Sequence, residues 1–313
     1  MVGKTIMDEV IKTENLVKYF GKTHAVDDIS INVEKGEIYG FLGLNGAGKT
    51  TVIRMLLGMI KPTEGKVYLH DTLIKAGINS IWKKVGYLVE TPYAYPDLTV
   101  KENLEVIRKL RGIDNKSVVT KVMEDLRLSR YQNILAKNLS LGNAQRLGIA
   151  KALMHDPEIL FLDEPANGLD PVGIVEIREL LKELAHKKGV TIFISSHILG
   201  EVSKFANRIG IIHQGKLVKE LKTTELKNHL MKKLCISTRD VQKMQSILVR
   251  EGYSPVISQE GFLEMTDEKA INAPDQIATL LVKENVPPTM LKIDEEDLES
   301  FFLRTISQQE VVI

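Results

Sequence analysis

Residues 43–51 read GLNGAGKTT, and the fold of the chain turns on what stands on either side of them. Before them runs EIYGFL, a short apolar stretch of strand character, and after them TVIRMLLGMI, whose spacing is helical. Strand, glycine-rich loop and helix in that order form a cradle for phosphate. Gly43, Gly46 and Gly48 let the backbone wrap tightly, so that successive N–H groups around Asn45, Gly46, Ala47 and Gly48 point at phosphate oxygens, backed by the helix N-terminus at Thr50 and Thr51. Lys49 places a point charge between β- and γ-phosphates, and the Thr50 hydroxyl is a magnesium ligand.

Further along, EILFLDEP (158–165) and VTIFISSH (190–197) repeat the pattern of a buried run bounded by turn residues, alternating with longer helical stretches. That alternation predicts parallel strands in an α/β sheet, whose carboxyl edge is where ligands bind. Asp163 and Glu164 fall on that edge. Asp163 is placed to hold magnesium through its water shell, and Glu164 to orient or polarise the water that attacks a γ-phosphate. Glu90 also follows a strand-like run, VGYLV, and is read either as ordinary loop dressing or as a residue facing the ligand.

Composition narrows the class. With 42 basic and 41 acidic residues among 313, no global field steers the surface toward nucleic acid or an anionic membrane. The one cysteine, Cys235, cannot form a disulfide within the chain, and no Cys/His spacing suggests structural zinc, so a reducing compartment is expected. The first ten residues, MVGKTIMDEV, carry charge where a secretory signal has its apolar centre, and no apolar run approaches the roughly 18 residues of a membrane span. A soluble protein is expected.

Between Asp97 and about Ala144 the pattern turns helical, predicting a helical subdomain at about 92–145 within a nucleotide-binding domain of residues 1–223. From 224 to 313 a lysine-rich linker leads into a second unit. LCIST, an apolar helical face at Val241, Met244 and Leu248, the hairpin SPVIS–QEG–FLEMT, a helix with Ile277, Leu280 and Leu281, and TMLKID give the order strand, helix, strand, strand, helix, strand. EEDLESFFLRTI adds a last helix, and the unit reads as a small α+β accessory domain without visible chemistry.

NLSLGNAQRLGIAKAL lies between the glycine loop and the acidic pair, and NGLDP and SSHILGEV follow the pair. Over about Ile11 to Lys222 the chain resembles the ATP-binding subunits of ABC transporters, with five motifs in that family's order. The resemblance implies a P-loop NTPase (RecA-like) ABC ATPase core, ATP and Mg2+ as ligands, and a homodimer in which the P-loop of one copy faces the signature motif of the other. Ser140, Gly142 and Asn143 of LSLGN would then bind the partner's nucleotide, Asp170 would belong to the D-loop, and His197 would donate to the γ-phosphate. Ser140 also reads as a plain helix N-cap, and both readings can hold. Phe20 matches the aromatic that stacks on adenine, with Tyr19 as its neighbouring alternative. Where most such ATPases carry a glutamine that touches magnesium and water and senses the membrane partner, this chain has Glu90, which the resemblance places at the same catalytic and metal position; together with SLG in the signature it resembles the subfamily exporting bacitracin-type and lantibiotic peptides, whose loop is an E-loop. The resemblance implies an ATPase driving a separate permease, bound peripherally at the inner face of the membrane, with no nucleic-acid partner. The alternatives are a soluble ABC ATPase of translation or DNA repair and a regulator with little hydrolysis. The former usually carries tandem cassettes or nucleic-acid inserts, which this sequence lacks, and the latter is disfavoured by Glu164 and His197.

Overall fold

The structure is a computed structural model describing residues 8–75, 81–90, 92–258 and 260–310. The start of the N-terminal stretch, Thr91 beside Glu90 and Gln259 of the hairpin turn lie outside the described residues. The chain divides into two compact units, Met1–Thr224 and Glu225–Ile313.

At the centre of the first unit lies a six-stranded sheet in the order Lys216–Lys222, Arg208–His213, Ile38–Leu42, Thr191–Ser196, Ile159–Asp163, Val85–Leu88. All pairings are parallel except that of the edge strand Lys216–Lys222. Every residue of Ile38–Leu42, Ile159–Asp163 and Thr191–Ser196 is buried, which is why these runs are continuously apolar rather than alternating. Phe193 sits mid-sheet, its ring centroid 5.4 Å from Tyr39 and Phe41 and 5.9 Å from Phe161. Each such side chain contributes about 1.5–3 kcal/mol by leaving water, so this layer fixes the relative heights of three strands whose ends carry the chemistry. A second, antiparallel sheet pairs Glu9–Phe20 with Thr23–Ile29, Asn32–Glu34 and Glu64–Leu69.

The helical stretch begins at Val100–Leu110, capped by a reciprocal Thr99–Glu102 box, and continues in Ser117–Asp125. The predicted helical run over LRLSRYQNIL is instead broken. Arg127 turns left-handed at φ 55°, ending one helix, and Ser129–Tyr131 forms a single 3₁₀ turn. A new helix, Leu141–Leu153, starts where Ser140 Oγ accepts from the Asn143 amide.

In the second unit an antiparallel sheet runs Val256–Ile257, Leu263–Met265, Lys232–Ser237, Met290–Glu295. Val241–Arg250 and Pro274–Lys283 pack on it through Met244, Leu248, Ile277 and Leu281 against Leu234, Ile236 and Leu263. Two features differ from the sequence expectation: Glu268–Asn272 is helical, and the lysine-rich linker forms a turn of helix, Leu226–His229, with Leu226 buried. One apolar side chain suffices to dock a short polar segment that shows no periodicity.

Candidate active site

The loop between Ile38–Leu42 and the helix Lys49–Leu56 is shaped by glycines that other residues could not replace. Gly46 and Gly48 adopt φ 81° and 110°, and a Cβ on Gly48 would stand 2.5 Å from the Ala25 carbonyl oxygen. Gly48 is also the N-cap of the helix and offers no side-chain cap, so the first-turn amides beside Lys49, Thr50 and the half-buried Thr51 stay open to an anion. Asn45 and Gly46 are exposed at the loop's crest, and Ala47 is buried beneath it.

Lys49 is only 6% exposed. Its ammonium donates to the carbonyls of Gly43 at 2.7 Å and Leu44 at 3.2 Å and lies 3.1 Å from Glu164 Oε1. The other oxygen of Glu164 lies 2.8 Å from His197 Nδ1 and accepts from the His197 amide at 3.3 Å. Glu164 reaches both because its backbone turns left-handed, φ 50°, just past the strand end, a conformation uncommon outside glycine. Its amide is held there by the carbonyl of Ser195 at 3.2 Å and the Ser195 hydroxyl at 3.1 Å.

Thr50 Oγ1 donates to Asp163 Oδ2 at 2.8 Å, and Ser195 Oγ to Asp163 Oδ1 at 2.5 Å. A hydroxyl and a carboxylate side by side are hard oxygen donors, the set magnesium takes when phosphates and water complete its octahedron. Among the described residues no cluster of three or more His, Cys, Asp or Glu could hold a metal alone.

Nothing in the local sequence SSH assigns Ser195 a role; only the pairing of Thr191–Ser196 with Ile159–Asp163 puts its hydroxyl beside Asp163 and Glu164. Ser195→Ala is expected to lower turnover about tenfold with little change in the KM for ATP, and to cost about 1–2 kcal/mol of stability, by leaving both partners short of a buried hydrogen bond. Steady-state kinetics with a thermal melt measures both.

Ser140, Gly142, Asn143 and Asp170 form a second group elsewhere. They line a cleft of about 690 Å³ together with Arg127, Arg130 and Arg146. Glu176 pairs with both Arg127 and Arg146, while Arg130 lies 4.7 Å over the Tyr131 ring. Burial, and after it the neighbouring Arg127, lower the pKa of Arg146. Asp170 caps the helix Pro171–Lys188 through the Gly173 amide at 2.7 Å. Leu141 is 53% exposed and packs on the D-loop, where a Cβ on Gly168 would meet its Cδ2 at 2.0 Å. Among the described residues no hydrogen bond or ion pair joins this cleft to Lys49, Thr50 or Asp163.

Phe20 ends the strand Glu9–Phe20 and is 52% exposed, with the Lys18 ammonium 5.0 Å over its ring, whereas Tyr19 meets His24 edge-on at 4.2 Å. Glu90 is left-handed at φ 62° and pairs with Arg54, one helical turn beyond Thr50. It touches neither Thr50 nor Asp163 in this structure.

The ABC transporter family model matches residues 26–167. Bacitracin transport ATP-binding protein BcrA of Enterococcus faecalis is 42% identical over 303 residues, covering 96% of this chain and 97% of that protein. Lantibiotic transport ATP-binding protein SrtF of Streptococcus pyogenes is 36% identical over 211 residues, 67% of this chain and 90% of that protein. Among solved structures, a dimeric ATP-binding cassette in a post-hydrolysis state, bound to ADP and Pi, superposes with a TM-score of 0.63 at 26% identity over 68% of this chain and 98% of that one. Identity of 42% sustained along nearly the whole of both chains is more than a shared fold requires: this protein belongs to the ABC transporter family, as an ATP-binding, ATP-hydrolysing subunit.

Proposed function

We propose that the chain powers a separate membrane permease that exports, or confers resistance to, a peptide antibiotic of the bacitracin or lantibiotic kind. The observation that carries this reading is likeness to a bacitracin transport subunit along almost the entire chain, second unit included. Likeness to transport ATP-binding subunits supports assigning the translocation path to the permease, with this subunit peripheral on its cytoplasmic side; no described helix is long and apolar enough to cross a membrane.

Bound ATP supplies the phosphoanhydride bond to be cleaved. Thr50 and Asp163 would hold a magnesium ion, which when bound would supply positive charge against the phosphates. Lys49 exchanges the carbonyls of Gly43 and Leu44 for phosphate oxygens, and in leaving Glu164 it frees Oε1 to accept a proton from the attacking water. His197 keeps Glu164 aimed through Oε2 and donates to the γ-phosphate. Phe20 stacks on adenine. Ser140, Gly142 and Asn143 of a second copy close the site from the far side, with Asp170 fixing the D-loop between them, so hydrolysis requires a homodimer.

Glu90 acts in coupling to the permease. Its pair with Arg54 lies at the surface, where such pairs are worth about 0–1 kcal/mol, so the carboxylate is free to change partner at little cost. In a strain relying on this subunit, Lys49→Ala is expected to lower the inhibitory concentration of bacitracin or a lantibiotic to that of a deletion; unchanged resistance to both classes overturns the proposed function. In the same assay Glu90→Gln keeps hydrolysis and most resistance. Glu90→Ala loses more resistance than ATPase activity. Equal, wild-type values for the alanine variant in both assays leave Glu90 as loop dressing.

A further inference from the structure

The sheet of the second unit ends in two unlike edges. On one side Val256–Ile257 is only two residues long, too short to recruit another strand. On the other, Met290–Glu295 pairs with Lys232–Ser237 through six consecutive residues without a register shift, and among the described residues no further strand pairs with its outer side. The Glu296 amide donates to the Met231 carbonyl, so along this edge the even-numbered residues direct their backbone groups at Lys232–Ser237. Leu291, Ile293 and Glu295 turn theirs outward.

Side chains alternate as well. Leu291 and Ile293 stand across from Ile236 and Leu234, on the face covered by the helices, yet Ile293 at the rim is 46% exposed. Lys292 and Asp294 stand on the opposite face, half exposed, with 3.4 Å between ammonium and carboxylate. Sheet edges are commonly guarded by proline, a bulge or a charge. MLKIDE has no proline and no bulge, and its one lysine is answered two residues on by an aspartate.

That pattern repels most strands and suits its own copy. In an antiparallel pair outward-turned residues must meet outward-turned residues, which leaves a handful of two-fold registers. Centred on Lys292 or on Asp294, two like charges face each other. Centred on Glu295, Asp294 faces Glu296, and centred on Leu291 neither charge is matched. Centred on Ile293, Lys292 of each copy faces Asp294 of the other, at the non-hydrogen-bonded positions where side chains approach most closely, and Ile293 meets Ile293 beside the two helix-covered cores.

We infer that the second unit is a dimerisation module, in which Met290–Glu295 pairs antiparallel with the same strand of a second copy about Ile293 and joins the two sheets into one. The joint is small, with about six backbone hydrogen bonds and two ion pairs, so association in the range of about 10 µM is expected. It needs no nucleotide. Two copies held there stay neighbours after ATP is hydrolysed, which raises the effective concentration at which their ATP sites meet again; that consequence, unlike the joint itself, rests on the composite dimer proposed above.

The test uses the full chain without nucleotide, in sedimentation velocity from about 1 to 200 µM. The wild type is expected to pass from monomer to dimer within that range. Lys292→Asp sets aspartate opposite aspartate and Asp294→Lys sets lysine opposite lysine, so each variant alone should associate at least about tenfold more weakly. Mixed in equal amounts, the two variants match both pairs again and recover a dimer of near wild-type affinity. Should either fail to fold, Lys292→Glu and Asp294→Arg take their places with the same expectation. A wild type that stays monomeric throughout, as it would if this edge served a strand of the permease, overturns the inference. So do single variants that dimerise like the wild type, and a mixture no tighter than its components, either of which places the contact on another face. With nucleotide absent, these failures leave the composite ATP site untouched, and failure of Glu164→Gln to dimerise with ATP leaves this joint untouched.

Discussion

Lys49→Ala abolishes ATP binding, and Glu164→Gln preserves binding while trapping an ATP-bound dimer: these opposite outcomes are expected from two residues that touch one another. Lys49 offers the charge that phosphate oxygens need, and charge-assisted contacts of this kind are about twice as strong as neutral ones, so affinity should fall at least about a hundredfold. Its removal leaves Glu164 with its other partner, His197, and the site is not stranded with an unpaired buried acid. Glutamine at 164 keeps the shape and the contact to His197 but lacks the basic oxygen. Loss of a positioned base costs about 10²–10⁴ in rate. Nucleotide binding by fluorescence, turnover by phosphate release and apparent mass by gel filtration separate the three effects. Wild-type turnover in Glu164→Gln removes Glu164 from the reaction.

Equimolar Lys49→Ala and Ser140→Arg chains, each inactive alone, are expected to recover activity when mixed. The reason is the separation seen in one chain: Lys49, Thr50, Asp163, Glu164 and His197 converge, while Ser140, Gly142 and Asn143 line another cleft. A mixed dimer has one site with both defects and one with none. Random pairing makes half the dimers mixed, so roughly a quarter of wild-type turnover should return if sites fire independently. A silent mixture leaves either obligatory joint firing or wrong geometry, and crosslinking decides between them. Cys235 is the only cysteine and is buried, so cysteines introduced at the exposed Asn45 and Leu141 should crosslink between chains in the presence of ATP without background. Absence of that crosslink excludes the head-to-tail arrangement.

Much of this protein was legible as sequence because the decisive signals are local. Strand, glycine loop and helix around Lys49 are contiguous, and the φ values that Gly46 and Gly48 adopt are a demand the backbone makes wherever such a loop occurs. Continuous apolar runs ending in DE or SSH marked fully buried parallel strands, and the order of elements in the second unit followed from period and turn residues. Ser140 as an N-cap depends only on residues three positions away.

What only tertiary structure decided are contacts between residues far apart in the chain. Thr50 meets Asp163 across 113 positions and Ser195 meets Asp163 across 32, because sheet order sets Thr191–Ser196 between Ile38–Leu42 and Ile159–Asp163. The chemistry of Glu90 is legible in the sequence, yet its partner, Arg54, follows from the docking of a helix and a strand end that share no local pattern. No local pattern sets Lys151 or Asn103 apart in the sequence. Packing makes them partners, Asn103 fully buried and accepting from the half-buried Lys151, since a side chain's cost and its use are both set by what surrounds it, and that is a property of the packed fold rather than of the neighbouring letters.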